Sequence, residues 1–159
     1  MTVADLRIEK ISPADDLELA TRLLEVQHAA YAVEATLIGD DRIPPLHETV
    51  GDVQGVPVNW FGAHTPGALV GAIAWTETVD GVDIDRLVVD PAVARHGIGR
   101  ALLAAVLEIA DGCQVTVSTG KGNQPARSLY ESRGFVHAGD IEVIPTLWVS
   151  QFVRPARGQ

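Results

Sequence analysis

Residues 87–103, with the sequence LVVDPAVARHGIGRALL, join a strand, a short loop and a helix. The apolar run 87–89, with β-branched Val88 and Val89, predicts the strand, Pro91 marks the loop, and the apolar stretch after Gly99 predicts the helix. The first backbone N–H groups of a helix have no partner within it, and the helix dipole adds partial positive charge there. Gly97 and Gly99 leave no Cβ between an anion and those N–H groups. The segment therefore predicts a binding site for a phosphate.

Other glycine-rich phosphate motifs fit this segment poorly. A dinucleotide fingerprint needs Gly-x-Gly-x-x-Gly directly after a strand, but several residues separate Val89 from Gly97 and the third glycine position holds Leu102. A Walker loop needs Gly-Lys-Ser/Thr, which the sequence lacks. A plainer alternative stays open on this segment alone, namely that the two glycines only shape a tight entry into the helix.

The pattern of the remaining chain predicts an α+β fold. Strands are predicted at 6–11, 58–64, 68–79, 82–89, 114–118, 135–144 and 146–152. Helices are predicted from the start signal at 12–15 to about Gly39, at 97–111 and at 123–133, and the segment 40–57 is irregular with one short helix near Glu48. This order predicts a mixed, mostly antiparallel sheet of about seven strands with flanking helices, and it excludes a doubly wound nucleotide fold. The length of 159 residues predicts a single domain over 1–159.

Composition and charge narrow the classes of partner. The formal net charge is −9 and no basic stripe is present, which argues against a nucleic-acid partner. The apolar runs are too short to span a membrane, no secretory signal is visible, and Cys113 is the only cysteine. These features predict a cytoplasmic protein without a membrane partner. The five histidines are scattered, so no metal site is predicted.

A second motif gives the phosphate site a family context. Residues 123–135 read NQPARSLYESRGF, and together with 87–103 they resemble the GNAT superfamily of acetyl-CoA-dependent N-acetyltransferases. The family's pyrophosphate turn, Gln/Arg-x-x-Gly-x-Gly/Ala, matches 94–99 except that Ala94 stands at its first position. The family's later helix, Asn-x-x-Ala-x-x-x-Tyr-x-x-x-Gly-Phe, is matched at every fixed position by Asn123, Ala126, Tyr130, Gly134 and Phe135. The resemblance covers 58–145 well and 1–57 only in the order of elements.

The resemblance implies acetyl-CoA as cosubstrate, with no metal. It implies that the strand backbone pairs with the pantetheine arm and that the turn holds the pyrophosphate, at Leu87, Val88, Val89, Arg95, His96, Gly97, Ile98, Gly99 and Arg100. Asn123 is implied to bind the pantetheine or to position its loop, and a plain helix cap is an equally good interpretation. Arg95 or Arg100 is a candidate to replace the charge that Ala94 lacks.

Catalytic roles follow from the same resemblance. Tyr130 is implied to protonate the departing coenzyme A sulfur, since a phenol with a pKa near 10 is protonated at pH 7. The alternative for Tyr130 is a packed helix aromatic. The attacking ammonium must lose a proton, and Asp83 and Asp85 are candidate bases on the strand before Leu87. With a period of two, 83, 85, 87 and 89 are predicted to share one face, although both carboxylates could equally be solvated near a turn.

The acceptor side is predicted from helical spacing. His28, Tyr31 and Glu34 lie three residues apart, and the resemblance implies that this helix and 40–57 enclose the acceptor. The alternative is that His28 and Tyr31 only continue an apolar stripe. The prediction is direct acetyl transfer to a primary amine, with a small molecule favoured over a protein and a homodimer possible. A non-catalytic acyl-CoA-binding or sensor module, and a purely structural domain, are the competing hypotheses.

Overall fold

Seven strands pair into one sheet in the computed structural model, which describes residues 5–94 and 96–158. The strands are β1 (Arg7–Ile11), β2 (Asn59–Thr65), β3 (Ala68–Glu77), β4 (Gly81–Val89), β5 (Gln114–Gly120), β6 (Val136–Ile144) and β7 (Leu147–Arg154). The helices are α1 (Leu17–Ile38), α2 (Val50–Gly55), α3 (Ile98–Ala110) and α4 (Gln124–Glu131). The α+β class and the predicted order of elements are confirmed.

The start of α1 differs from the prediction. The segment predicted as the helix start forms a separate 3-10 turn, Pro13–Asp15, and the Ser12 side chain makes no capping hydrogen bond. The α-helix begins only at Leu17, after the turn has ended. Its N-cap is Asp16, whose carboxylate accepts a hydrogen bond from the Leu19 backbone N–H. A carboxylate at this position satisfies an unpaired N–H group and complements the helix dipole, which makes Asp16 the better cap.

The sheet opens between two of its inner strands, β4 and β5. The strand order is β1-β2-β3-β4-β5-β7-β6, with β4 and β5 parallel and the other described pairs antiparallel. β4 and β5 pair only from Gly81 opposite Gln114 to Ile84 opposite Val117. At the closed end the strands approach so tightly that a Cβ on Gly81 would overlap the Gln114 backbone oxygen. Beyond Ile84 the strands diverge, and a gap forms in the middle of the sheet.

Apolar layers cover both faces of the sheet beside this gap. On one face α3 buries an apolar stripe that includes Leu102, Leu103 and Val106, all without solvent exposure. On the other face α1 and α2 bury Leu23 and Val53 against β2, β3 and β4. Each such fully buried side chain contributes about 1.5–3 kcal/mol, so packing on both faces stabilises the sheet.

A β-bulge at Asp85 changes the alternation of side chains that the sequence predicts for β4. Ala74 of β3 pairs with Arg86 and the next residue, Trp75, pairs with Ile84, so Asp85 is an extra residue in β4. Before the bulge Ile84 packs in the α3-side layer, and after it the odd-numbered Leu87 packs there instead. The prediction that 83, 85, 87 and 89 share one face is therefore wrong, because the bulge reverses the direction of the side chains that follow it.

Candidate active site

A cleft of about 180 Å³ lies where β4 and β5 diverge. Side chains from α1, β4, β5, α4 and the segment after α1 line it. Six of the residues predicted as site residues meet here: Tyr31, Glu34, Asp85, Leu87, Asn123 and Tyr130. Tyr31 and Tyr130, which lie 99 positions apart in the sequence, are thus brought into one small space that opens to solvent.

The edge of β4 that faces the cleft carries backbone groups without a strand partner on that side. Leu87, Val88 and Val89 pair with β3 on their other edge, while the pairing with β5 has already ended at Ile84. Val88 is buried on the α1 side, and Leu87 and Val89 pack toward α3. Such an edge can accept an extended ligand as an added half-strand, since alternate N–H and C=O groups point toward it.

The turn into α3 has the geometry of an anion site. Gly97 adopts a left-handed conformation (φ 77°) as the N-cap, and among the described residues no atom outside Gly97 and its chain neighbours lies within 4 Å of where its Cβ would stand. The first hydrogen bond of the helix runs from the Ala101 N–H to the Gly97 carbonyl, so the N–H groups of Ile98, Gly99 and Arg100 precede the ladder. The space in front of Gly97 is open, and a phosphate can approach those groups there.

The side chains of this turn divide into two kinds. Ile98 is buried in the α3-side core, whereas His96 and Arg100 are exposed at the surface. The predicted contact at Arg95 lies outside the described residues. The helix entry is therefore anchored by Ile98, and its polar surface comes from backbone groups and from flanking cationic or titratable side chains.

Tyr130 is both a packed core residue and part of the cleft. Its ring is 4% exposed and stacks near Phe135 and Phe152, with ring centroids 5.4 and 6.2 Å away. Burial, together with the nearby charge of Glu34, raises the pKa of the Tyr130 hydroxyl well above its usual value of 10. The phenol is therefore protonated throughout the physiological range and can donate a proton or a hydrogen bond into the cleft.

Glu34 connects α1 to the opposite wall of the cleft. Its Oε1 accepts hydrogen bonds from the Asn123 side-chain amide at 2.6 Å and from the Thr119 hydroxyl at 2.8 Å. The Asn123 Oδ1 accepts from the Ala126 N–H, so Asn123 caps α4 as well. Burial and then the Glu34 charge raise the pKa of Tyr31 far above its ordinary value, so a second protonated phenol faces this carboxylate.

A charged network that the sequence analysis missed lies under the acceptor side. Arg86 is 7% exposed, and its guanidinium donates from Nε to Asp85 at 2.6 Å and from Nη1 to Glu48 at 2.7 Å and to Gln27 at 3.0 Å. Gln27 donates in turn to the Glu48 carboxylate and to the Pro45 carbonyl. This network fixes one oxygen of Asp85 while 34% of that side chain stays exposed toward the cleft.

Of the six predicted catalytic and acceptor residues, two do not line the cleft, namely Asp83 and His28. Asp83 lies at the closed end of the β4–β5 pair, where its carboxylate accepts a hydrogen bond from the Thr116 hydroxyl at 2.6 Å. His28 hydrogen-bonds through Nε2 to the Glu48 carbonyl oxygen at 2.8 Å and thereby ties α1 to the segment before α2. The bulge at Asp85 and the helical turn between His28 and Tyr31 separate these two side chains from the cleft.

The described residues hold no group of three or more His, Cys, Asp or Glu side chains arranged to bind a metal ion. In the same part of the chain, every helix is too short or too polar to cross a bilayer.

Comparison with known proteins identifies the family of the chain that forms this cleft. The model of the acetyltransferase (GNAT) family matches residues 22–135. The chain belongs to the GNAT acetyltransferase family. The match includes most of α1, the divergence of β4 and β5, the turn into α3 and the whole of α4, which line the cleft together with Val149 of β7 outside the match.

Two curated relatives of this chain are longer than it is. The protein YqkA of Bacillus subtilis is 38% identical over 84% of the chain, and mycothiol acetyltransferase of Clavibacter sepedonicus is 33% identical over 77%. The matched regions cover only 39% and 43% of those two proteins, so the chain spans about two fifths of each. The structure of the PaiA N-acetyltransferase of Thermoplasma acidophilum in complex with coenzyme A has the same fold, with a TM-score of 0.68 at 20% identity over 92% of this chain and 97% of that one.

One signal in the sequence points to the network around Arg86. Val82, Ile84 and Val88 occupy alternate positions of β4 with apolar side chains, and Arg86 interrupts them. A charged residue inside an apolar strand is rarely buried unless it is paired, so partners elsewhere in the chain were to be expected. Their identity as Gln27 and Glu48 is not visible in the sequence, because neither lies near Arg86 along the chain.

Proposed function

We propose that this chain transfers an acetyl group from acetyl-CoA to a small primary amine. The observation that carries the proposal is the cleft itself, in which an unpaired strand edge, a protonated phenol and two carboxylates meet beside an open helix N-terminus. Membership of the GNAT family supports acetyl transfer, and the coenzyme A complex of the PaiA enzyme supports the same cosubstrate here.

Acetyl-CoA binds in the proposal through backbone groups. The pantetheine arm pairs with the β4 edge at Leu87, Val88 and Val89, and the pyrophosphate lies at the N-terminus of α3. Support for this comes from the missing β5 partner beyond Ile84 and from the open space at Gly97. The helix dipole and N–H groups supply the attraction for the phosphates, so the absent side chain at Ala94 is tolerated.

The reaction proceeds by direct attack. The amine nitrogen adds to the thioester carbonyl carbon, the tetrahedral intermediate collapses, and the carbon–sulfur bond breaks to leave the acetylated amine. The raised pKa of its hydroxyl keeps Tyr130 protonated until the carbon–sulfur bond breaks, and Tyr130 then donates its proton to the departing sulfur of coenzyme A. The second proton that the amine nitrogen loses as the amide forms passes through water and restores the phenol. Holding the two reactants side by side in the cleft supplies much of the rate.

The acceptor must also lose a proton before it attacks. Freeing an alkyl amine of pKa near 10 costs about 4 kcal/mol at pH 7. In the proposal Asp85 accepts this proton, directly or through a water, because one of its oxygens is fixed by Arg86 while the side chain remains partly exposed. Glu34 and Tyr31 then line the space for the acceptor, and the negative charges of Glu34 and Asp85 attract its ammonium group.

Release of coenzyme A with a panel of small amines tests the proposal. We expect turnover that depends on the amine, and a thermal shift of the protein with acetyl-CoA alone, since a ligand that binds only the folded state stabilises it. A thermal shift without turnover on any amine would favour the non-catalytic acyl-CoA-binding module. Neither a shift nor turnover would favour a purely structural domain and would contradict the proposal.

A further inference from the structure

Arg42 joins two segments that lie more than one hundred residues apart. Its Nη1 donates to the Pro145 carbonyl at 3.0 Å, and its Nη2 donates to the Thr146 hydroxyl at 2.9 Å. On its other edge the guanidinium holds the Asp40 carboxylate, with contacts of 2.6 to 3.2 Å from Nε and Nη2. We call this arrangement the Arg42 bridge.

The bridge joins chain segments that adjoin the acceptor side of the cleft, while Arg42 and Thr146 themselves lie outside its lining. On one side Arg42 directly precedes Ile43, which lines the cleft together with Pro45. On the other side Thr146 precedes β7, whose Val149 lines the opposite wall. Arg42 therefore ties together the chain segments that form the two walls, and it lines a wider cavity of about 600 Å³ beside them.

Three features distinguish the bridge from an ordinary surface ion pair. The Asp40 carboxylate and the Arg42 guanidinium meet in a fork geometry, which holds the guanidinium plane in one orientation. The pKa of Asp40 is lowered to about 2 by its hydrogen bonds from Arg42. The far end binds Thr146, a β-branched residue in a left-handed conformation (φ 70°), which is costly unless its surroundings hold it there.

We propose that Arg42 is a specificity-determining residue that sets the width of the acceptor side of the cleft. By fixing 40–45 against the turn at 145–146, the bridge leaves room for a compact amine and excludes one that continues into a peptide chain. The inference rests on the proposed function, because it names the size class of acceptor for the same site. It adds that a contact at the rim of the cleft, rather than a group inside the cleft, selects the acceptor by size.

The test compares acceptors that share one amine and differ in length. Alaninamide, alanyl-alaninamide and a hexapeptide amide beginning with alanine are offered to the wild type, to Arg42→Ala and to Arg42→Lys. We expect the wild-type preference in kcat/KM for alaninamide over the hexapeptide to fall about tenfold in Arg42→Ala, as expected for the loss of several charge-assisted hydrogen bonds. Arg42→Lys keeps the charge without the fork, so its preference should be intermediate.

Arg7→Ala is the matched control, because Arg7 is an exposed arginine on β1 that pairs only loosely with Glu9 at 3.8 Å. This variant should keep the wild-type preference. An unchanged preference in a folded Arg42→Ala variant that still binds acetyl-CoA would overturn the proposal.

A second measurement separates this proposal from the proposed function. Hydrogen exchange of the backbone amides in 40–47 and 142–149 should be faster in Arg42→Ala than in the wild type, whether or not any amine is acetylated. If exchange accelerates but no acceptor in the series is used, the bridge exists and the proposed acceptor class is wrong. If exchange in both segments is unchanged, the bridge does not hold the walls and the inference fails.

Discussion

The two sides of the cleft are constructed from different parts of the protein chain. The cosubstrate side, formed by β4, the turn before α3 and α3 itself, presents backbone groups: the unpaired edge at 85–89 and the N–H groups that follow Gly97. The acceptor side, formed by α1 and 39–48, presents side chains such as Tyr31 and Glu34. A backbone site tolerates changes of residue type, whereas a site of side chains changes its ligand with each substitution.

The strongest test of the cosubstrate side is Gly97→Glu. It adds bulk and negative charge where the phosphates are proposed to lie, and like charges in contact cost several kcal/mol, so acetyl-CoA affinity should fall by about 100-fold or more. Calorimetric titration of acetyl-CoA measures this. Gly97→Ala is the control, since it carries the strain of the left-handed conformation without the charge and should bind within about tenfold of wild type.

Tyr130→Phe tests the point where the two sides meet. Loss of a proton donor should lower kcat by about 100-fold or more and leave the Kd for acetyl-CoA nearly unchanged. The packing against Phe135 and Phe152 is retained, so stability serves as the internal control. Because burial and Glu34 raise the pKa of Tyr130, its proton is lost only well above pH 10, and the wild-type rate should show no falling limb near pH 10. Equal turnover of the two proteins would remove Tyr130 from the mechanism.

The sequence predicts the cosubstrate side better than the acceptor side for a physical reason. Local patterns specify elements, so the order of strands and helices and the cap at Asn123 are confirmed. A contact between distant side chains has no local pattern, and Arg86 meets Gln27 and Glu48 from 59 and 38 positions away. The bulge at Asp85 is likewise not predicted by a local pattern. A hydrophobic period of two describes a regular strand and gives no sign of an inserted residue.

Arg86→Met tests whether the acceptor side depends on its buried network. The change leaves the Glu48 carboxylate without its closest cationic partner in a site where only 20% of its side chain is exposed. We expect the free energy of unfolding to fall by about 2–3 kcal/mol, less than for a fully buried pair. Denaturant titration measures this. The double variant Arg86→Met with Glu48→Gln should recover part of the loss, and strictly additive effects would show that the two residues are not coupled.

Variants of Asn123 have the smallest expected effect, and they separate its role as the cap of α4 from its role as a donor to Glu34. Asn123→Ala removes the cap of α4 and should cost about 1 kcal/mol of stability. Asn123→Ser retains a capping oxygen but lacks the amide that donates to Glu34, so it should be nearly as stable as wild type. If the contact with Glu34 orders the acceptor side, both variants should show a higher KM for the amine. An amine KM unchanged in both would limit Asn123 to its role as a cap.

Hydrogen exchange of the wild-type protein with and without acetyl-CoA tests most directly the claim that the cosubstrate side binds through its backbone. The account predicts that acetyl-CoA protects amides in two separate segments, 86–89 on the β4 edge and 98–101 at the start of α3. Saturating acetyl-CoA that binds and yet leaves exchange in both segments unchanged would contradict it.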